Sequence, residues 1–125
     1  MDKLKGFLID VQKSNPYIVE IEHNLNSFYQ ILNCSAFDIA RRKIGKTYYD
    51  IFCDDEGLLK DKPIVSAVSS DMQPMLVGNL FITRSNDEGE TISLTNEEIN
   101  EVKRHLTAVF DDLGRMYPCL ICDYE

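Results

Sequence analysis

Phe37-Asp38-Ile39-Ala40-Arg41-Arg42-Lys43-Ile44-Gly45-Lys46-Thr47-Tyr48-Tyr49-Asp50-Ile51-Phe52-Cys53 is the stretch that decides the fold class. Phe37–Arg41 and Tyr49–Cys53 alternate with a period of two, and the basic segment ending at Gly45-Lys46 joins them, which predicts a β-hairpin. Asp54-Asp55-Glu56-Gly57 supplies the acidic turn residues that end the second strand.

Outward from this hairpin, Leu4–Val11 reads as a central strand and Ser14-Asn15-Pro16 as a turn. Tyr17, Val19 and Ile21 alternate with Ile18, Glu20 and Glu22, so a second strand should pair antiparallel with the first. Leu25, Phe28, Tyr29 and Leu32 form one apolar stripe behind Asn24, a suitable N-cap, predicting a short helix that depends on packing against a sheet. Leu58–Lys62 is expected to be a short irregular or single-turn element, stopped by Pro63. Ile64–Val68 reads as a short strand, and Met75–Thr83 as another with Gly78-Asn79 in its middle, the glycine marking a bulge or close backbone approach. Thr95 and Glu98 make a capping box, and Leu94 and Ile99 a hydrophobic staple. Ile99, Val102, Leu106, Val109, Phe110 and Leu113 then predict a long C-terminal helix closed at Gly114. Asp111 and Asp112 would stand at the unfavourable end of its dipole.

The expectation is a single α+β domain over residues 1–125. Its mixed or antiparallel sheet would have about five to six strands built from hairpins, with two helices packed on one face.

The chain has 13 basic and 21 acidic residues, a net charge of −8. That balance argues against direct binding of a nucleic-acid duplex. No apolar run reaches the length of a membrane-spanning helix, and Met1–Gly6 is not followed by a signal-peptide core, so a cytoplasmic location is expected. Between Asp87 and Glu101 stand Asp87, Glu88, Glu90, Glu97, Glu98 and Glu101 with no base, a surface able to steer a basic partner or simply a solvated face. Against this, Arg41, Arg42, Lys43 and Lys46 crowd next to Tyr48 and Tyr49. Guanidinium forks suit phosphates and tyrosine rings stack on bases, so with the permissive backbone at Gly78 and Asn79 they define a candidate nucleotide site. Its plainer alternative is a solvated hairpin tip.

Cys34, Cys53, Cys119 and Cys122 are read as buried, inert thiols: Cys119 and Cys122 have CxxC spacing but lack a second pair for zinc and a helix N-terminus for redox chemistry. Asp54, Asp55 and Glu56 lack the EF-hand pattern, and adjacent strand residues diverge, so neither metal nor cofactor is expected. Asp50 with Asp54 or Asp55 would be the acid pair of a hydrolase, and a hydrolase reading would use Asp50, Asp54 or Glu56, but nothing else supports catalysis, and P-loop, GxGxxG and GxSxG signatures are absent. His23 and His105 read as surface histidines.

Lys5–Val11, Arg42–Ile51, Cys53–Pro63 and Pro74–Ile82 resemble a family of small uncharacterised proteins found in Firmicutes and their phages, plasmids and conjugative elements. Asp54-Asp55-Glu56-Gly57 and Val77-Gly78-Asn79 carry most of the likeness. It brings no assigned catalytic residues. By genomic context the resemblance implies a non-enzymatic anti-defence factor that sequesters a small nucleotide, as a homo-oligomer because a small domain has little room for a deep pocket. The alternatives are an acidic inhibitor of a basic, nucleic-acid-binding host protein and an accessory domain without its own ligand.

Overall fold

The structure, a computed structural model, describes residues 3–13, 15–59 and 63–125. Strands β1 (Lys3–Ile9) and β2 (Tyr17–Glu22) are followed by helix α1 (Leu25–Leu32) and the hairpin β3 (Phe37–Ile44) and β4 (Thr47–Asp54). A 3-10 turn at Gly57–Leu59 precedes β5 (Val65–Val68), β6 (Pro74–Val77), β7 (Leu80–Ser85) and β8 (Thr91–Ile92). Helix α2 (Asn96–Arg104) leads into β9 (Leu106–Phe110) and β10 (Met116–Ile121). Ser14 of the expected turn and Lys60–Lys62 of the expected short element lie outside the described residues.

The strands form two sheets rather than one. The first runs β2-β1-β7-β4-β3, with β8 beside β7; the second runs β6-β5-β10-β9. Pairing is antiparallel except between β5 and β10.

Tyr49 to Cys53 of β4 and Leu80 to Thr83 of β7 are buried without interruption, so the first sheet is covered on both faces. On one face Leu4, Leu8, Phe52 and Phe81 pack with Phe28 and Leu32 of α1. Phe28 stacks on Phe52 with ring centroids 4.4 Å apart. On the other face Phe7, Ile9, Tyr49, Ile51, Leu80 and Ile82 pack with Ile99 and Val102 of α2 and with Ala67 and Leu120 of the second sheet. The two helices therefore lie on opposite faces of the sheet, a correction to the one-face arrangement. Two apolar faces each need their own cover.

Two elements differ from the sequence reading for identifiable reasons. The stretch Met75–Thr83 is two strands in different sheets, because Gly78 takes φ 77° and turns the chain between them. A Cβ there would meet nothing within 4 Å, so backbone conformation, not close approach, calls for the glycine. The C-terminal helix is the other case. Its capping box forms as expected, but the helix stops at Arg104, and Leu106-Thr107-Ala108-Val109-Phe110 is a strand paired with β10. That segment is rich in strand-favouring side chains. Phe110 is 69% and Leu113 81% exposed, which a packed helix face would not allow. Gly114, at φ 80°, belongs to the β9–β10 turn. Asp111 organises that turn by accepting from the N–H groups of Leu113 and Arg115 and from Arg115 Nε, so it is not a misplaced helix charge.

The frame depends on close approach at Gly6, where a Cβ would stand 2.6 Å from both the Ile82 carbonyl and the Phe81 ring. Gly6→Ala is expected to cost about 2 kcal/mol or more of stability. Denaturant unfolding checks this; an unchanged midpoint would show that the Phe81 ring can move aside.

Candidate functional site

The basic segment is strand, not loop. Ile44 pairs with Thr47, leaving only Gly45-Lys46 in the turn, with Gly45 at φ 65° in its first central position. The turn is clasped from α2. Glu101 accepts from the Tyr49 hydroxyl at 2.5 Å and from Lys46 N–H at 3.3 Å, while His105 Nδ1 lies 2.8 Å from the Glu101 carbonyl oxygen. Burial, then the Glu101 carboxylate, push the Tyr49 phenol well above its ordinary value. Partial burial raises the Glu101 carboxyl, but hydrogen bonds from Tyr49 and Lys46 outweigh it and leave its pKa below the usual range.

Strand pleating divides the predicted ligand residues. Arg41, Lys43 and Tyr48 share the α1 face of the hairpin: Lys43 stands directly opposite Tyr48, and the Arg41 guanidinium lies 5.2 Å from the Tyr48 ring centroid. Arg41, Lys46 and Tyr48 are exposed and Lys43 is half-buried. Among the described residues none of the three cations makes an ion pair. Arg42 and Tyr49 face the other way. Tyr49 is core, and Arg42 stacks on Tyr124 at 4.3 Å, with a buried Nε that has no hydrogen-bond partner among the described residues. Beside it, Lys43 and Asp123 exchange backbone hydrogen bonds of 2.7 and 2.9 Å, and Ser70 N–H donates to Asp123 Oδ1. These bonds tie the edge of the first sheet to the chain just beyond β10. Hydrogen bonds from Ser70 hold the Asp123 carboxyl below the usual carboxylate range.

Gly78 and Asn79 are not part of that group. They lie at the far end of β4, where Asn79 Oδ1 accepts from Val11 N–H at 3.1 Å and its Nδ2 donates to the Ile31 carbonyl at 3.0 Å. They line a cleft of about 570 Å³ together with Asp10, Asn33 and Asp54. Sequence reasoning missed this cleft, whose residues come from separate strands and the end of α1.

The six acids of the predicted partner surface also divide. Glu98 closes the capping box and pairs with Arg84, and Glu101 is spent on the hairpin turn. Asp87, Glu88, Glu90 and Glu97 remain exposed. Asn86 Oδ1 accepts from Glu88 and Glu90 N–H and shapes the loop that presents three of them.

The proposed acid pair does not form: Asp50 accepts from the Ser85 hydroxyl, while Asp54 lies four residues along the same strand, about 13 Å away by strand rise. Asp54 Oδ1 instead accepts from Glu56 N–H at 2.9 Å. Among the described residues no group of three His, Cys, Asp or Glu side chains could hold a metal ion. Burial pushes the Cys53, Cys119 and Cys122 thiols up to about 11, so they are protonated near neutral pH, whereas Cys34, also expected to be buried, is half-buried.

Residues 4–107 match the family described as a domain of unknown function, DUF3846, and the chain belongs to that family. No curated protein and no solved structure matches the chain. The matched span includes the hairpin, the cleft and α2, and it ends inside β9.

The clasp on the hairpin has a pH signature. Tyr49→Phe is expected to cost about 2 kcal/mol near neutral pH, because it removes a hydrogen bond to a carboxylate. A carboxyl whose folded pKa is depressed stabilises above its unfolded value, about 4.3, and that contribution is lost as the pH falls through the folded value. The stability gap between the parent and Tyr49→Phe should therefore be smaller in acid, below that unfolded value, than near neutral pH. Denaturant titrations at both pH values read it; a gap that does not change with pH would remove Glu101 from the account.

Proposed function

We propose that this chain is a non-catalytic binding protein that holds a small nucleotide on the cationic face of the β3–β4 hairpin. The observation that carries this reading is the grouping of Arg41, Lys43 and Tyr48 on one strand-held surface, its two cations in no ion pair with the described residues, in a chain of net charge −8. In an acidic protein, unpaired cations on regular strands are a place where phosphate gains charge-assisted hydrogen bonds. The Tyr48 ring supplies a stacking surface, worth about 1–3 kcal/mol per base in comparable sites. Asp50, opposite Arg41, is 8% exposed and engaged by Ser85, so it leaves the guanidinium available. The hairpin face is open, and a second copy of the chain would supply the facing wall of a closed site. The biological reading is sequestration of a nucleotide signal by an anti-defence protein, in keeping with the resemblance to proteins of phages, plasmids and conjugative elements.

The test is calorimetry and native mass spectrometry of the full chain against cyclic and ADP-ribose-type nucleotides. One class should bind to a discrete oligomer. Replacing both Arg41 and Lys43 by Ala should weaken binding about 100-fold, and Tyr48→Ala about tenfold. Arg42→Ala, on the other face, should leave binding unchanged. Binding that is indifferent to the double replacement would overturn the site.

A second reading rests on the four exposed acids. The Arg84–Glu98 ion pair joins the first turn of α2, which carries Glu97, to the base of the β7–β8 hairpin, whose loop carries Asp87, Glu88 and Glu90. Such a surface suits a basic, nucleic-acid-binding protein. Its association should weaken steeply with salt, and reversal of Asp87, Glu88 and Glu90 to Lys should abolish it. A salt-independent complex would exclude this reading.

A further inference from the structure

We infer that the outer edge of β9 pairs antiparallel with β9 of a second copy of this chain, across a two-fold axis at Ala108. The contact lies on the second sheet, apart from the hairpin face, and needs no nucleotide. Among the described residues no strand covers this edge. Open sheet edges are ordinarily blunted by charge, proline, bulges or shortness. The other outer strands carry these devices. β2 has Glu20 and Glu22, and β3 has Asp38 and Arg41. β6 begins at Pro74 and pairs irregularly with β5, and β8 has 2 residues. β9, Leu106-Thr107-Ala108-Val109-Phe110, has no charge, no proline and an unbroken register with β10.

Hydrogen-bond alternation fixes what this edge presents. Ile121 N–H donates to the His105 carbonyl at 2.7 Å, and Asp111 N–H to the Arg115 carbonyl at 3.0 Å. The positions between them that bond to β10 are therefore Thr107 and Val109. Pro118, which has no N–H to give, stands opposite Ala108, where none is needed. The backbone N–H and C=O groups of Leu106, Ala108 and Phe110 thus point away from the sheet. Among two-fold registers, the one centred on Ala108 pairs all of them: Ala108 with its own copy, and Leu106 with Phe110 of the second copy. Each such pair exchanges both of its hydrogen bonds, and the two four-stranded sheets become one.

Side chains and charges fit the same register. Leu106 packs against the main core, and Phe110, on the same face by pleat, continues that face into solvent beside the exposed Met116. Across the axis Phe110 lies over Leu106 of the second copy, an apolar cross-strand pair formed twice. A net charge of −8 makes two copies repel at long range, so the contact has to supply local attraction. It does so at the ends of β9. Arg104 precedes the strand and Asp112 follows it; both are exposed, and among the described residues neither makes an ion pair. The register centred on Ala108 brings Arg104 of each copy beside Asp112 of the other.

The test is sedimentation equilibrium of the full chain without nucleotide, which should show a monomer–dimer equilibrium. Ala108→Lys sets two ammonium groups face to face at the axis and should weaken the dimer at least about 100-fold. Ala108 is exposed, so the unfolding midpoint of the dilute protein should stay as in the parent. Arg104→Glu should weaken the dimer about tenfold, and adding Asp112→Arg to it should restore the parent affinity. In amide exchange the Leu106, Ala108 and Phe110 N–H groups should gain protection as the dimer forms, while Thr107 and Val109 are protected at every concentration. A chain that stays monomeric at millimolar concentration, a dimer indifferent to Ala108→Lys, or a charge swap that fails to restore association would each overturn the inference.

Discussion

Burial of both faces of β4 and β7 is the constraint on which the rest of the structure depends. A strand that is apolar on alternate residues needs one cover; these two need covers on both sides. Phe52 and Phe81 demand the aromatic layer that α1 completes with Phe28. Ile51, Leu80 and Ile82 demand the aliphatic layer that α2 and the second sheet complete. A one-residue slip between β4 and β7 would exchange the two sets and leave rings facing the wrong layer. The second sheet therefore acts as the other half of the cover on one face.

The same register sorts the charges. β4 begins at the basic turn, beside Arg41 and Lys43 of β3, and ends at Asp54 in the acidic cleft. A chain that is acidic overall thereby carries Arg41, Lys43 and Lys46 at one end of its central strand and Asp54 at the other.

Much of this frame was legible in the sequence. The β1–β2 and β3–β4 hairpins and the Asn24 and Thr95 caps followed from alternation and capping residues, whereas of the four cysteines expected to be buried Cys34 is only half-buried. Leu106, Val109, Phe110 and Leu113 misled because strand residues can fall by chance at helical spacing. What placed them was a partner strand, β10, and local pattern does not encode pairing. The second sheet was hidden for a related reason: β5 meets β10 in parallel across a large sequence separation, so no hairpin signal exists. Pleating divides the predicted ligand set between two faces and two ends of the sheet. Arg41, Lys43 and Tyr48 came together, but strand extension through Ile44 turned Arg42 and Tyr49 away. The cleft that Asp10, Asn79 and Asp54 line draws on separate strands and the end of α1, so no local pattern announces it.

The central claim is that strand register gathers Arg41, Lys43 and Tyr48 on one face of the β3–β4 hairpin, where the proposed nucleotide would sit. Backbone chemical-shift mapping of a labelled sample titrated with a nucleotide tests it most directly. The account predicts shifts clustered on residues 41–48. Shifts confined to the cleft beside Asn79, or none at saturating nucleotide, would contradict it.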